Sequence, residues 1–250
     1  MIIFNYPYFR ILCLGVLLFI SSISCENEGY ITKIGFGSCL KQYLNLSIFD
    51  AITDHKYEKF IFLGDNIYGD KKSWFKWSRF KFNFFDEGTP ESLSEDYRIL
   101  SENIHFKAFI ESLENGFEEI LNVILSLVCV RYDDVFAIWD DHDYGINNGD
   151  SSYQHKLDSK QIFTEFWDKQ KQSEKISRGG GNSDEENGIW FSHTMEFTDG
   201  NGDIRFVKVV MVDMRFEKDE YQSENGSFLN QKQWDWLEDE FIHNIDDKVF

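Results

Sequence analysis

Short apolar runs broken by polar turns set the rhythm of the chain. Residues 31–36, 59–63 and 135–139 each read as a short buried strand. Between the first two, residues 44–55 place Leu44, Ile48, Phe49 and Ile52 on one helical face. A helix between two such strands makes a βαβ unit and hence a parallel pair. Residues 91–113 predict one long helix, with Leu93, Tyr97, Leu100, Ile104 and Phe109 in helical spacing and Pro90 near its start. A further helix is predicted over 160–171, carrying Ile162, Phe163, Phe166 and Trp167. Residues 190–197 and 204–212 read as a hairpin across Asp199-Gly200-Asn201-Gly202. The last predicted helix, 231–242, turns Trp234, Leu237 and Phe241 inward. The pattern as a whole is α/β.

Three stretches do not follow these periods. Residues 74–85 interleave Trp and Phe with Lys and Arg, and read as a packed lid or surface loop. Residues 120–130 are apolar all round but too short to cross a bilayer, which leaves a buried strand or a core helix open. Residues 178–188 form a glycine-rich acidic loop without the spacing of a phosphate cradle.

Composition narrows the function classes. Of 250 residues 42% are hydrophobic and 17% aromatic, enough for a large core in one domain. A net charge of −19 argues against an electrostatic grip on nucleic acid or anionic membrane. An acidic protein acting on anions needs bound cations to receive them. Residues 1–24 differ in kind: Arg10 is the one charged side chain, an apolar run covers 11–20, and small residues follow at Ser22-Ile23-Ser24. That is the pattern of a cleaved secretory signal, with an uncleaved anchor as the alternative. The reading is therefore a signal peptide over 1–24 and one domain over 25–250, secreted and without a stable membrane span. Cys25, Cys39 and Cys129 would remain, an odd number that leaves one thiol over. The sequons Asn45-Leu46-Ser47 and Asn225-Gly226-Ser227 suit a glycoprotein.

The candidate chemistry gathers where the apolar runs stop. Cys39, Asp65, Tyr68, Asp141, His142, Asp143 and the Asp213/Arg215 pair each follow a predicted strand. In α/β sheets the carboxyl ends of strands are where ligands collect. Three carboxylates around His142 repel one another unless a cation joins them. Calcium-loop spacing fails, because the sixth position from Asp141 is Ile146, and from Asp199 the twelfth is Val210. Carboxylates, a phenol and a thiol form a hard anionic set, suited to a strongly Lewis-acidic ion rather than zinc. Each residue also has a bland role: Cys39 as a core thiol, Tyr68 as packing, Asp65 as a loop cap.

Five motifs in order complete the picture: Phe36-Gly37-Ser38-Cys39, Phe62-Leu63-Gly64-Asp65-Asn66-Ile67-Tyr68, Trp139-Asp140-Asp141-His142-Asp143-Tyr144-Gly145, Val212-Asp213-Met214-Arg215 and Gln233-Trp234-Asp235-Trp236-Leu237-Glu238. Over residues 31–242 the chain resembles the alkaline phosphatase D (PhoD-like) family of the calcineurin-like metallophosphoesterase superfamily. The resemblance implies a sandwich of two mixed sheets flanked by helices. It implies Cys39, Asp65, Tyr68 and Asp141 as metal ligands, holding Fe(III) and a divalent ion such as Ca2+, with Asp65 bridging. His142 would protonate the leaving oxygen or steady the phosphate, and Asp143 would hold its ring. Arg215 would pair with phosphate oxygens, or form an ion pair with Asp213. Two such ions clamp an in-line displacement and supply the nucleophile from bound water, so the implied substrate is a small phosphate mono- or diester.

Two departures from the family pattern stand out. Its later Gly-Asp-x-His motif falls beyond Phe250, and the apolar 120–130 segment replaces a shorter connection. The expectation is a metallophosphatase domain incomplete at its C-terminal end. The competing readings are a homologue that binds metal or phosphate without turnover, and a thiol hydrolase using Cys39 with His142 as base.

Overall fold

The computed structural model describes residues 33–57, 59–77, 80–114, 135–169, 176–179, 187–198, 201–220 and 223–242. Its centre is a parallel sheet of three strands in the order β1-β2-β5: β1 (Ile34–Gly37), β2 (Lys59–Leu63) and β5 (Val135–Ile138). The predicted parallel pair is present, in the register Phe36↔Ile61, and β5 adds on the other side with Phe62↔Ala137. Phe60 and Phe62 turn one face of β2 toward a layer of helices: α1 (Ile48–Asp54), α2 (Pro90–Glu102), α3 (Ile104–Glu114) and α5 (Lys156–Lys169). Ring centroids there lie 4.9 Å apart for Phe49–Phe109, 5.0 Å for Phe60–Phe109 and 4.8 Å for Phe62–Trp167. Each such buried side chain contributes about 1.5–3 kcal/mol, so this aromatic layer is the main support of the sheet. All four residues of β5 are buried, as expected of a parallel strand covered on both faces. Its second cover is the hairpin β6 (Phe191–Thr198) and β7 (Ile204–Met211), where Phe191 lies 6.3 Å from Phe136.

The described strands form three sheets, one parallel and two antiparallel. Among the described residues β6 and β7 pair with each other from Phe191↔Met211 to Thr198↔Ile204 and form a sheet of their own. A third sheet joins β3 (Lys71–Trp77) and β4 (Phe80–Asp86), in the segment read as a lid or loop. Phe80, Phe82 and Phe84 alternate with Lys81 and Asn83, a strand signal that the basic-aromatic composition had masked.

Helix boundaries move for local reasons. The first helix begins at Ile48 rather than 44 because Asn45 Oδ1 accepts from Ser47 N at 2.9 Å, a turn that competes with helix. Leu46 and Phe49 are buried in consequence, while Leu44 and Ile48 are exposed. The predicted long helix over 91–113 is two helices. Asn103 is extended, with φ −68° and ψ 122°, and its Oδ1 accepts from His105 N and Phe106 N to start α3. The last helix, α6 (Gln231–Ile242), is rotated from its expected face. Trp234 and Phe241 are exposed, and Gln233 and Glu240 point inward. Gln233 grips the backbone of Asp213 with both ends of its amide, at 2.8 and 2.9 Å, and Glu240 pairs with Lys208. Two matched polar contacts outweigh the apolar face.

The apolar 120–130 segment, the expected signal over 1–24, and Cys13, Cys25 and Cys129 lie outside the described residues. No described helix is long and apolar enough to cross a membrane.

Candidate metal centre

The site is built from the loops that leave β1, β2 and β5 on one edge of the sheet. β1 and β2 stay joined past their ends by Cys39 N to Gly64 O, 3.2 Å, and Leu40 N to Asp65 O, 2.7 Å. Both loops turn sharply: Cys39 has φ 62°, Gly64 φ 105° and Asp65 φ 51°. Glycine is required at 64, since a Cβ there would stand 2.6 Å from Asp140 Cβ. That contact brings the end of β5, and the short helix α4 (Asp141–Tyr144) after it, against Asp65.

Asp65, Asp141 and His142 are all buried, and each offers a ligand atom within 4.8 Å of the others. Cys39 Sγ and the Tyr68 hydroxyl, 3.6 and 3.2 Å away, both donate to Asp65 Oδ2. Asp65 Oδ1 is buried and accepts no hydrogen bond among the described residues. A buried carboxylate oxygen without a donor is costly, and a cation removes that cost. The donors therefore fit a metal ion, with the carboxylate oxygens as the core of the set and the imidazole within reach of it.

The electrostatics agree with that fit. Burial first, then Asp141 and Asp140, push Asp65 above the usual carboxylate range, although His142 opposes them. Burial, reinforced by Asp65 and Cys39, also holds the Tyr68 phenol above its ordinary value. Tyr68 can thus ligate only an ion acidic enough to displace its proton. Asp141 is buried, which raises it, yet the Asn148 N–H at 2.7 Å and the Arg215 guanidinium at 3.9 Å bring it below its ordinary value.

His142 is held by Asp70, not by Asp143. Its Nδ1 lies 2.8 Å from both oxygens of the buried Asp70, and its ring packs 4.1 Å from that of Tyr68. With Nδ1 engaged, Nε2 is the atom that can face a cation or a leaving oxygen, an arrangement common to ligating histidines. Burial lowers His142, but the Asp70 hydrogen bond and the charges of Asp70, Asp141 and Asp65 outweigh it and raise it. Asp143 serves the backbone instead. Its Oδ1 accepts from Asn66 N, Ile67 N and the Tyr97 hydroxyl, and its Oδ2 from Asp140 N. Burial lifts this carboxyl to about 7 while the Asp140 and Asn66 N–H groups pull it down.

Arg215 also departs from expectation. Its guanidinium lies 2.6 Å from Asp140 Oδ1, and only its backbone N–H reaches the Asp213 carboxylate. Asp213, fully buried, accepts from Trp139 Nε1, Ile189 N, Arg215 N and Phe216 N. The structure thus gathers Cys39, Asp65, Tyr68, Asp141 and His142, sets Arg215 at their rim and assigns Asp143 to scaffolding.

Asp70, Asp140 and Gln42 are the residues that sequence reasoning passed over. Gln42 clamps Tyr68, its Oε1 accepting from Tyr68 N at 2.9 Å and its Nε2 donating to Tyr68 O at 3.3 Å. Asp140 stood inside the quoted Trp139–Gly145 run and Asp70 two residues past the quoted Phe62–Tyr68 run, so both were legible as extra carboxylates; nothing in the sequence marked Gln42.

The Asp70–His142 pair makes a pH-dependent prediction. His142 has a raised folded value, so its stabilising effect is complete below the unfolded value of about 6.5 and fades as pH rises through the folded one. Asp70→Asn should therefore destabilise metal-free protein most at acid pH, with the difference in Tm from wild type shrinking toward alkaline pH. A difference in Tm independent of pH would contradict the pairing.

No family model, curated protein or solved structure matches the chain.

Proposed function

We propose that this chain is a secreted, metal-dependent hydrolase of phosphate mono- or diesters with the metallophosphoesterase sandwich fold. The motifs carry the resemblance, and one observation carries the chemistry: Asp65, Asp141 and His142 lie together, and one oxygen of Asp65 is buried without a donor. Cys39 and Tyr68 on the second Asp65 oxygen support Fe(III) as the ion, with a divalent ion such as Ca2+ beside it. A cation held there supplies Lewis acidity, polarising the phosphoryl group and lowering the pKa of water. The protein groups do the rest. Asp70 orients His142 and favours its protonated form, so that Nε2, left uncoordinated by the cation, can deliver a proton to the leaving oxygen. Arg215, anchored by Asp140, Gly149 O and the Asp213 carboxylate, fixes Asp141 from the rim.

The test is hydrolysis of an aryl phosphate monoester and diester by the purified full chain. Turnover should vanish on chelation, return with iron and a divalent ion, and survive thiol alkylation in the metal-loaded protein. Metal binding without turnover would replace this reading with a non-catalytic homologue. Loss on alkylation together with indifference to chelators would replace it with a Cys39 thiol hydrolase.

A further inference from the structure

An acidic site can receive an anionic ester only where some positive charge is left to meet it. Arg215 is committed to Asp140 at 2.6 Å, and Lys218 donates to Asn148 O at 3.0 Å. Lys41 is different. Its Nζ lies 5.4 Å from the centre of the Tyr68 ring, and it makes no ion pair among the described residues. The same ring packs 4.1 Å from His142, and its hydroxyl lies 3.2 Å from Asp65 Oδ2, so the ammonium stands one aromatic ring away from the cluster.

The backbone on either side of Lys41 is fixed. Leu40 N donates to Asp65 O at 2.7 Å, and Gln42 holds Tyr68 N and O through its amide. Lys41 therefore springs from an anchored turn two residues after Cys39, and its long stem lets a compact charge swing off the ring. A cation over an aromatic face at an exposed site is held less strongly than by a charge-assisted hydrogen bond to phosphate.

We propose that Lys41 is the phosphate-binding cation of this site, gripping a non-bridging oxygen of an ester whose phosphoryl group bears a negative charge. The proposal rests on the phosphate-ester reading above and adds to it the side chain that receives the anionic phosphoryl group. The Tyr68 ring is the resting place of the ammonium when no anion is bound.

The experiment compares Lys41→Met and Lys41→Arg with wild type, using Lys107→Met on α3 as a control that removes the same charge from an exposed position. Steady-state kinetics with an aryl phosphate run beside calorimetric binding of inorganic phosphate to metal-loaded protein. Lys41→Met should raise KM and weaken inorganic phosphate binding together, by about tenfold or more, with the loss in KM rather than kcat. Lys41→Arg should recover part of it, and Lys107→Met should match wild type. Unaltered KM in Lys41→Met overturns the proposal. If wild type binds phosphate without turnover, the hydrolase reading fails by itself, and weaker phosphate binding by Lys41→Met still supports Lys41. Equal binding by both proteins, or no phosphate binding by wild type, overturns it.

Discussion

Asp65→Asn is expected to give a protein that is more stable than wild type without metal and indifferent to added metal. The metal-free fold holds Asp65 buried, with Oδ1 lacking a donor and Asp141 and Asp140 nearby, and its carboxyl is raised by burial and by those charges. The folded state therefore disfavours the ionised form, and wild type loses stability relative to the variant as pH climbs from the unfolded value of 3.8 through the raised folded one. Asparagine removes the charge, keeps an oxygen for the Tyr68 hydroxyl, and tolerates the left-handed φ of 51°. The gain should be about 1 kcal/mol in the metal-free protein. Wild type should in turn gain about 2.7 kcal/mol at a metal concentration a hundredfold above Kd, and the variant should gain none. That separates the two proteins by about 5–10 °C in Tm when metal is present. Thermal unfolding with and without metal measures both effects. An equal metal-induced shift in the two proteins would remove Asp65 from the site.

The second large effect lies away from the cation. Asp213→Ala should cost about 3–5 kcal/mol, because buried donors lose their acceptor at about 1–3 kcal/mol each while the loss of a buried charge offsets part of the sum. The four donors are Trp139 Nε1 at 2.7 Å, Ile189 N at 2.8 Å, Arg215 N at 2.9 Å and Phe216 N at 3.1 Å. They join the end of β5, the approach to β6 and the loop after β7. Gly188 fits closely against the same carboxylate, since a Cβ there would stand 2.3 Å from Asp213 Oδ2. Chemical denaturation of the variant measures the cost, and a loss under about 1 kcal/mol would show that this hub is dispensable.

Much of the site was legible because it sits at strand ends. Apolar runs located β1, β2 and β5, and the side chains just past them, Cys39, Asp65 and Asp141, are the ones the parallel sheet brings together. Partnerships were not legible. Asp143 follows His142 in sequence, yet on a helical turn consecutive side chains diverge by about 100°, so Asp143 faces Asn66 and Tyr97 while the more distant Asp70 reaches the imidazole. Arg215 stands two residues from Asp213 but finds Asp140 across the fold. The phase of α6 departs from its apolar pattern for a related reason: Gln233 on the Asp213 backbone, and not Trp234 or Phe241, chooses the buried face. Asn103 shows how one side chain can divide a helix whose apolar spacing runs on without a break.

The measurement that bears most directly on the metal centre is the metal content of the purified chain, taken with its visible absorption. Iron near one per chain is expected, with a tyrosinate charge-transfer band that Tyr68→Phe abolishes and a metal load that Asp65→Asn loses. A colourless wild-type protein that takes up no metal when iron and a divalent ion are supplied would contradict the account.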